Sequence, residues 1–267
     1  MNFMVFLLWH QKSLIFSGNI VYCIQYTIPK VKLMDNFIFP ELKQRTVEDE
    51  ITSRLRNAII GGSFAPGSHL NETEVAKQMN VSRIPIREAI KKLEQEGLLV
   101  RHTNRRVFVV SFSAHDVKEV FSMRANLECM AFEWALPNMG QADYEALREL
   151  IAQQKTAIAS EDYESLARLD MQFHEFIVSK ADHSRLLKSW YEQHAQSQML
   201  LNVRFRKMSD YTPETVVRDH IQILEAIKRN DIDAAKLLTL QISERVALEC
   251  SQTLEEFLGT GDPEGGE

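Results

Sequence analysis

The chain has 267 residues, enough for two domains, and the composition of a globular protein rather than a disordered or collagenous one. Its formal net charge of −6 gives no global sign of a nucleic-acid partner. Cys23, Cys129 and Cys250 are far apart and odd in number, so no disulfide framework or Cys-based metal motif follows, and a reducing cytoplasm is the expected setting.

Residues 1–33 carry an apolar run from Phe3 to Trp9 that is too short to span a bilayer. No basic region precedes it, no small-residue cleavage site follows, and there is no helical period. The expectation is a non-functional N-terminal extension, with a membrane-associating arm as the alternative and no membrane partner for the rest of the chain.

From Thr46 the pattern becomes regular. Thr46-Val-Glu-Asp reads as a helix start, and Ile51, Leu55, Ala58 and Ile59 follow at helical spacing until Gly61-Gly62. Asn71 caps a short helix with Glu74 in the reciprocal position, and Asn80 suits a left-handed end. Ser82 is the expected cap of the next helix, which carries Pro85 in its first turn and ends at Gly97. Ile86, Ala89, Ile90 and Leu93 form its apolar stripe, and Arg83, Arg87 and Lys91 a separate cationic stripe. By itself this is also the pattern of an ordinary amphipathic helix with a solvated basic face. Two helices joined by about three residues, however, have the geometry of a helix-turn-helix, whose second helix reads the DNA major groove with its N-terminal residues.

Leu98–Arg101 and Val107–Val110 are β-prone and joined by a turn containing Arg105 and Arg106. Such a hairpin can lay its charges on a DNA backbone or in the minor groove; the plain alternative is a solvated turn. From Val81 to Arg106 the chain has Arg83, Arg87, Lys91, Lys92, Arg101, Arg105 and Arg106 against Glu88, Glu94 and Glu96, seven minus three, or +4. A basic segment on an acidic chain suits a molecule with one DNA-facing part.

Residues 46–110 resemble the winged-helix domain of the GntR family of bacterial transcription regulators. The resemblance rests on Gly62-Ser-Phe-Ala-Pro-Gly-Ser-His-Leu70, on Glu72-x-x-Val-Ala76, and above all on Val81-Ser-Arg-Ile-Pro-Ile-Arg-Glu-Ala-Ile90 followed by Leu93-Glu-Gln-Glu-Gly-Leu98. It implies that Arg83 and Arg87 contact operator bases, with Ser82 and Thr73 on phosphates or base edges. Thr73 stands where some members carry arginine, and the wing tip, often glycine, is here Asn104-Arg105-Arg106.

The second half reads as helical throughout. Ser113-x-x-Asp116 caps a long helix with the stripe Val117, Val120, Leu127, Ala131 and Trp134, and Pro137 marks its end. Further amphipathic segments run over 141–159, 161–181, 184–206, 213–229 and 232–257, with Thr212-Pro213 as a cap followed by proline. The fold class is therefore mainly α: a winged helix-turn-helix with a small hairpin wing over 40–111, an antiparallel helical bundle over 112–258, and a disordered tail over 259–267.

Arg124 lies within the apolar stripe, and a buried charge must find a partner. That partner is Glu128, or the side chain reaches out to water, or it clamps a small carboxylate. Asp170 and His174 are four apart and share a helix face, and His220 on a later helix completes three ligands for a divalent metal; such a pair is also common as a plain surface or core pair. Leu169-Asp-Met-Gln-Phe-His-Glu175 and Asp219–Asp231, with Ala234-Ala235, resemble the FCD ligand-sensing domain of the FadR subfamily. Many such domains bind Zn²⁺, Ni²⁺ or Mn²⁺ through an Asp and three His, and the resemblance places Asp170, His174 and His220 on the first three positions. The fourth falls near position 242, where this chain has Ile242, which cannot ligate. A three-ligand site open to water or an effector carboxylate is chemically sound; without metal, His174 and His220 would hydrogen-bond an effector directly. His194 is a substitute ligand with no matching neighbourhood.

These readings converge on a metabolite-responsive transcription regulator, expected to be a repressor, that binds a palindromic double-stranded operator as a homodimer and is modulated by a small organic or sugar acid held near Arg124, His174 and His220. The competing readings are a metal-dependent hydrolytic enzyme built on Asp170, His174 and His220, and an architectural DNA-binding protein.

Overall fold

The computed structural model describes residues 14–17, 20–23, 47–207 and 212–259. Two short strands, β1 (Leu14–Ser17) and β2 (Ile20–Cys23), pair antiparallel and form a unit of their own. The rest of the expected extension 1–33, residues 40–46 of the expected DNA-binding domain and residues 260–267 of the expected tail lie outside the described residues.

In α1 (Val47–Ile60) the residues Ile51, Leu55, Ile59 and Ile60 are buried. Then come β3 (His69–Leu70), α2 (Glu72–Gln78) and α3 (Arg83–Gln95). Asn71 caps α2 by accepting from the N–H groups of Thr73 and Glu74. Glu74 does not return the bond and instead accepts from Gln78. Asn80 takes the left-handed conformation (φ 52°), which lets Val81 N–H reach back to Ala76 O. Ile86, Ala89, Ile90 and Leu93 of α3 are fully buried. Truncating Ile90 to alanine would cost about 2–5 kcal/mol. Ser82 stands at the N-cap position, but its hydroxyl makes no capping bond.

The wing consists of β4 (Leu99–Arg101) and β5 (Val107–Val109), and β3 adds a third strand that its two residues were too short to announce, in the order β3-β5-β4. At the tip Arg105 adopts φ 64°, the conformation that glycine takes without strain.

The bundle begins with α4 (Ala114–Ala135), where Ser113 and Asp116 cap each other reciprocally. A 3₁₀ turn containing Pro137 ends it. There follow α5 (Gln141–Ala159), α6 (Tyr163–Ser179), α7 (Ser184–Lys207), α8 (Glu214–Lys228) and α9 (Ile232–Gly259). The expected cap at Thr212 is shifted: Pro213 holds the N-cap position, with no side-chain capping bond. α4 packs on α6, α7 and α9, and α5 on α6 and α8, so the core is an antiparallel bundle with α4 inside it. Val117, Val120 and Ala131 are buried and Leu127 partly so, but Trp134 is exposed, with its ring against His183. The helix has two apolar faces, and Trp134 belongs to the outer one with Met123 and Met130.

α7 joins the two parts. Gln196 Nε2 donates to Gly97 O (2.9 Å), Asn202 Nδ2 to Ile60 O (3.0 Å) and Arg206 Nη1 to Gly61 O (2.6 Å). These are carbonyls at helix C-termini, which lack intrahelical partners. Gly97 takes φ 69°, which favours glycine, and a Cβ there would stand 2.3 Å from Gln196 Nε2 and push that amide out of its bond.

Candidate functional site

Two sites emerge. The first is a concave surface between α2, α3 and the wing, lined by Thr73, Arg83, Arg87, Lys91, Arg101, Arg105 and Arg106. It brings together five of the six expected DNA contacts; Ser82 is exposed but outside the concavity. The side chains of Arg83 and Arg87 are about half exposed (52% and 53%). Lys92, by contrast, turns to α1 and pairs with Glu48 and Asp49.

Sequence reasoning missed Glu72. Its carboxylate accepts from Arg87 Nε (3.0 Å) and lies 3.5 Å from Arg83 Nη2 and 3.4 Å from Arg101 Nη1. Partial burial opposes its charge, but the hydrogen bonds from Arg87 and Arg101 outweigh that and hold its carboxyl below the usual range. Arg101 also donates to Glu94 and so ties the wing to α3. Because Arg87 spends Nε on Glu72, its two terminal nitrogens stay available as a fork for guanine O6/N7 or a phosphate.

The second site lies inside the bundle. Asp170, His174 and His220 are buried, and one ligand atom from each lies within 4.8 Å of the others. The helical spacing puts Asp170 and His174 on one face of α6, and α8 brings His220 against them, stacked on Phe173. His174 Nδ1 is 2.9 Å from Glu128 Oε2, and His220 Nδ1 is 2.9 Å from Gln154 Oε1. Gln154 Nε2 donates to Leu169 O, which fixes its amide with the oxygen toward the imidazole. Both rings therefore carry their proton on Nδ1. The two Nε2 atoms then face each other at 3.2 Å, a hydrogen-bond distance, with Asp170 Oδ1 3.5 Å from that of His220. A proton shared between the two Nε2 atoms, or a cation in its place, satisfies the acceptors that converge there. Bonds of about 2.1 Å at tetrahedral or octahedral angles span about 3.0–3.4 Å between donor atoms, so the spacing suits a divalent ion. Glu128 and Gln154 supply the outer hydrogen bonds that metal-binding imidazoles need.

Burial pushes His220 down to about 3, so it stays neutral. Burial also opposes the charge of Glu128, but His174 and Arg124 outweigh it and hold this carboxyl well below the usual range. Arg124 donates through Nε to Glu128 (2.7 Å) and through Nη2 to Asp170 Oδ2 (3.3 Å). It is therefore ion-paired and also lines the cavity. Arg204, missed in the sequence, lines it too and pairs with Glu249.

Ile242 lines the cavity at the expected fourth-ligand position. His194 does not line it; its ring lies against Trp190 and Tyr191. Thr239 Oγ1 is buried beside the cavity and has no hydrogen-bond partner in the structure. The enclosed space is about 40 Å³, room for roughly three waters. Glu175, the acid next in sequence to His174, is engaged by the Tyr191 hydroxyl.

Comparison with known proteins covers both parts of the chain. Residues 47–109 match the model of bacterial regulatory proteins of the gntR family, and residues 119–245 match the FCD domain. The chain is 34% identical to the HTH-type transcriptional regulator YdhC of Bacillus subtilis (strain 168), over 69% of this chain and 82% of YdhC. It is 29% identical to the gluconate operon transcriptional repressor of Bacillus licheniformis, over 74% of this chain and 83% of that protein. Among solved structures, E. coli McbR/YncC superposes with a TM-score of 0.66 at 20% identity, over 78% of this chain and 98% of that one, which shows a shared fold.

Proposed function

The chain belongs to the GntR family of bacterial regulatory proteins and carries an FCD domain behind its winged helix, and from that membership we propose how its two sites work together. It is a DNA-binding transcription regulator, not an enzyme. In our reading it represses by binding a palindromic operator as a homodimer, and a small organic or sugar acid in the bundle releases it. Arg83 and Arg87 reach base edges, and Thr73, Ser82, Arg105 and Arg106 hold the phosphates or the minor groove. The observation that carries this is the pair of half-exposed guanidiniums at the start of α3, which line one concavity with the wing arginines.

The dimer is supported by the outer faces of α4 and α9. Met123, Met130 and Trp134 on one and Leu237, Leu240 and Leu248 on the other are between 42% and 59% exposed, and Glu133 and Lys236 link the two helices between them. Contiguous apolar surface of this kind marks an interface, and two-fold pairing would set two α3 helices on two half-sites. The effector reading is supported by Arg124, by the free Thr239 hydroxyl and by the Asp170, His174 and His220 donors, which would hold a Zn²⁺, Ni²⁺ or Mn²⁺ ion for an effector carboxylate to meet. At about 40 Å³ the cavity is far smaller than the several hundred Å³ that ligands of this size need. A sugar acid enters only if the helices part. Binding then favours an opened bundle, and α7, which contributes Leu201 and Arg204 to the cavity wall and grips Gly97 and Ile60, carries that difference to the winged helix.

The test is selection of duplexes from a random pool by the full-length chain, followed by titration of the enriched sequence. An inverted repeat should emerge, and Arg87→Ala should weaken binding by about 1–3 kcal/mol for each half-site. A pool with no enriched sequence, or unchanged affinity for the variant, rejects the reading.

A further inference from the structure

Ile84 is 72% exposed, the most exposed large apolar side chain among the described residues. It lies in the first turn of α3. At about 100° per residue it falls nearly opposite the mean direction of the buried Ile86, Ala89, Ile90 and Leu93, so it points straight out of the domain. Arg83 and Arg87 flank it on one side, both drawn toward Glu72. Glu88 and Lys91, further along the exposed face, pair with each other. The outermost point of the helix's presenting end is thus a branched hydrocarbon bounded by charges.

Nothing in the free chain asks for it. Ile84 takes no part in the core, and a polar or straight-chain residue would form the helix at least as well and keep the surface wetter. A branched apolar group earns its place here only against an apolar feature of whatever α3 docks upon. On our reading that α3 enters the major groove, the base edges there offer guanine and adenine acceptors, amino donors, and one apolar group, the 5-methyl of thymine. Cytosine presents hydrogen at the same place.

We propose that Ile84 is a specificity-determining residue that contacts a thymine 5-methyl group in each operator half-site. Arg83 and Arg87 take the polar base edges, and Ile84 separates T·A from C·G at a neighbouring pair. This rests on the operator-binding reading above and adds to it which chemical group one further side chain reads.

The experiment uses the full-length chain and the duplex it enriches from a random pool. Each thymine of the half-site is replaced in turn by deoxyuridine, which removes the methyl and keeps the pairing. At one position per half-site the replacement should weaken wild-type binding about fourfold, the worth of one buried methyl group, and replacing both symmetry mates should weaken it roughly fifteenfold. Ile84→Ala should bind the thymine duplex about as weakly as the wild type binds the deoxyuridine one, and should be indifferent to the replacement. Ile84→Val should keep the difference. A 5-methylcytosine–guanine pair at the same position should recover part of the contact for the wild type and none for Ile84→Ala. Because the side chain is exposed, the thermal midpoints of the variants serve as the folding control and should match the wild type. Equal wild-type affinity for thymine and deoxyuridine at every position, or an Ile84→Ala variant as sensitive as the wild type, overturns the assignment while leaving operator binding intact. A pool without any enriched sequence would instead overturn the operator reading beneath it.

Discussion

Arg87 Nε–H donates to Glu72 Oε2 at 3.0 Å, which places a carboxylate inside the surface proposed to meet DNA. Glu72 costs electrostatic attraction to phosphate, but it also aims the guanidiniums of Arg83, Arg87 and Arg101, which lose less freedom on docking because they are already held. Glu72→Gln should therefore raise affinity for random duplex DNA and lower the ratio of operator to random affinity, by about tenfold if one bidentate contact is loosened. Anisotropy titrations of both duplexes at one salt concentration measure this. Equal changes on the two duplexes would reduce Glu72 to a general charge.

Gln154 orients His220 from 66 positions away. Zn²⁺, Ni²⁺ or Mn²⁺ should raise the thermal midpoint of the metal-free chain, by an amount equivalent to about 2.7 kcal/mol at a hundred times the dissociation constant. Gln154→Leu should weaken metal affinity about 10–100-fold, and Asp170→Ala should abolish it. Indifference of the wild type to all three ions, read by calorimetric titration and thermal shift together, would turn the cluster back into a direct effector contact.

On the outer face of the bundle, Leu237→Glu or Met130→Glu should convert a dimer to a monomer without loss of helix content, because both residues are exposed in the single chain. Sedimentation and circular dichroism separate the two effects. A variant that still sediments as the wild type would locate the pairing surface elsewhere.

At the wing tip, Arg105→Gly removes a residue from a left-handed conformation and should stabilise the fold by about 0.5–1 kcal/mol. It also removes one cation from each protomer, so for the dimer the slope of log affinity against log salt should fall by about two. Improved stability with an unchanged slope would show that Arg105 meets no phosphate.

His220 is held down to about 3 by burial, against about 6.5 in an unfolded chain. Between those values the unfolded state binds a proton that the folded state refuses, so its contribution to stability is whole above about pH 6.5 and is lost progressively as pH falls toward 3. Urea unfolding in the presence of chelator should show a decline from pH 7 to pH 5 that is shallower in His220→Gln. Parallel declines would assign the loss to other groups.

Much of this was open to inspection in the residue order. The caps at Asn71 and Ser113, the left-handed Asn80, the buried stripe of α3 with its arginines alongside, and the pairs Arg124–Glu128 and Asp170–His174 all lie within five residues of their partners. Helix geometry alone decides such relationships, since residues four apart share a face whatever the helix later packs against. Other relationships waited on packing. Asp170 meets Arg124 across 46 positions, Gln154 meets His220 across 66, and Glu72 meets Arg101 across 29, each through the register of two separate elements. Trp134 shares the apolar spacing of its buried neighbours, and only the seating of α4 among α6, α7 and α9 determined that it would face outward. Local order specified which side chains form a face; the angles at which those faces meet decided their partners, because crossing angle and offset depend on every side chain at the contact together.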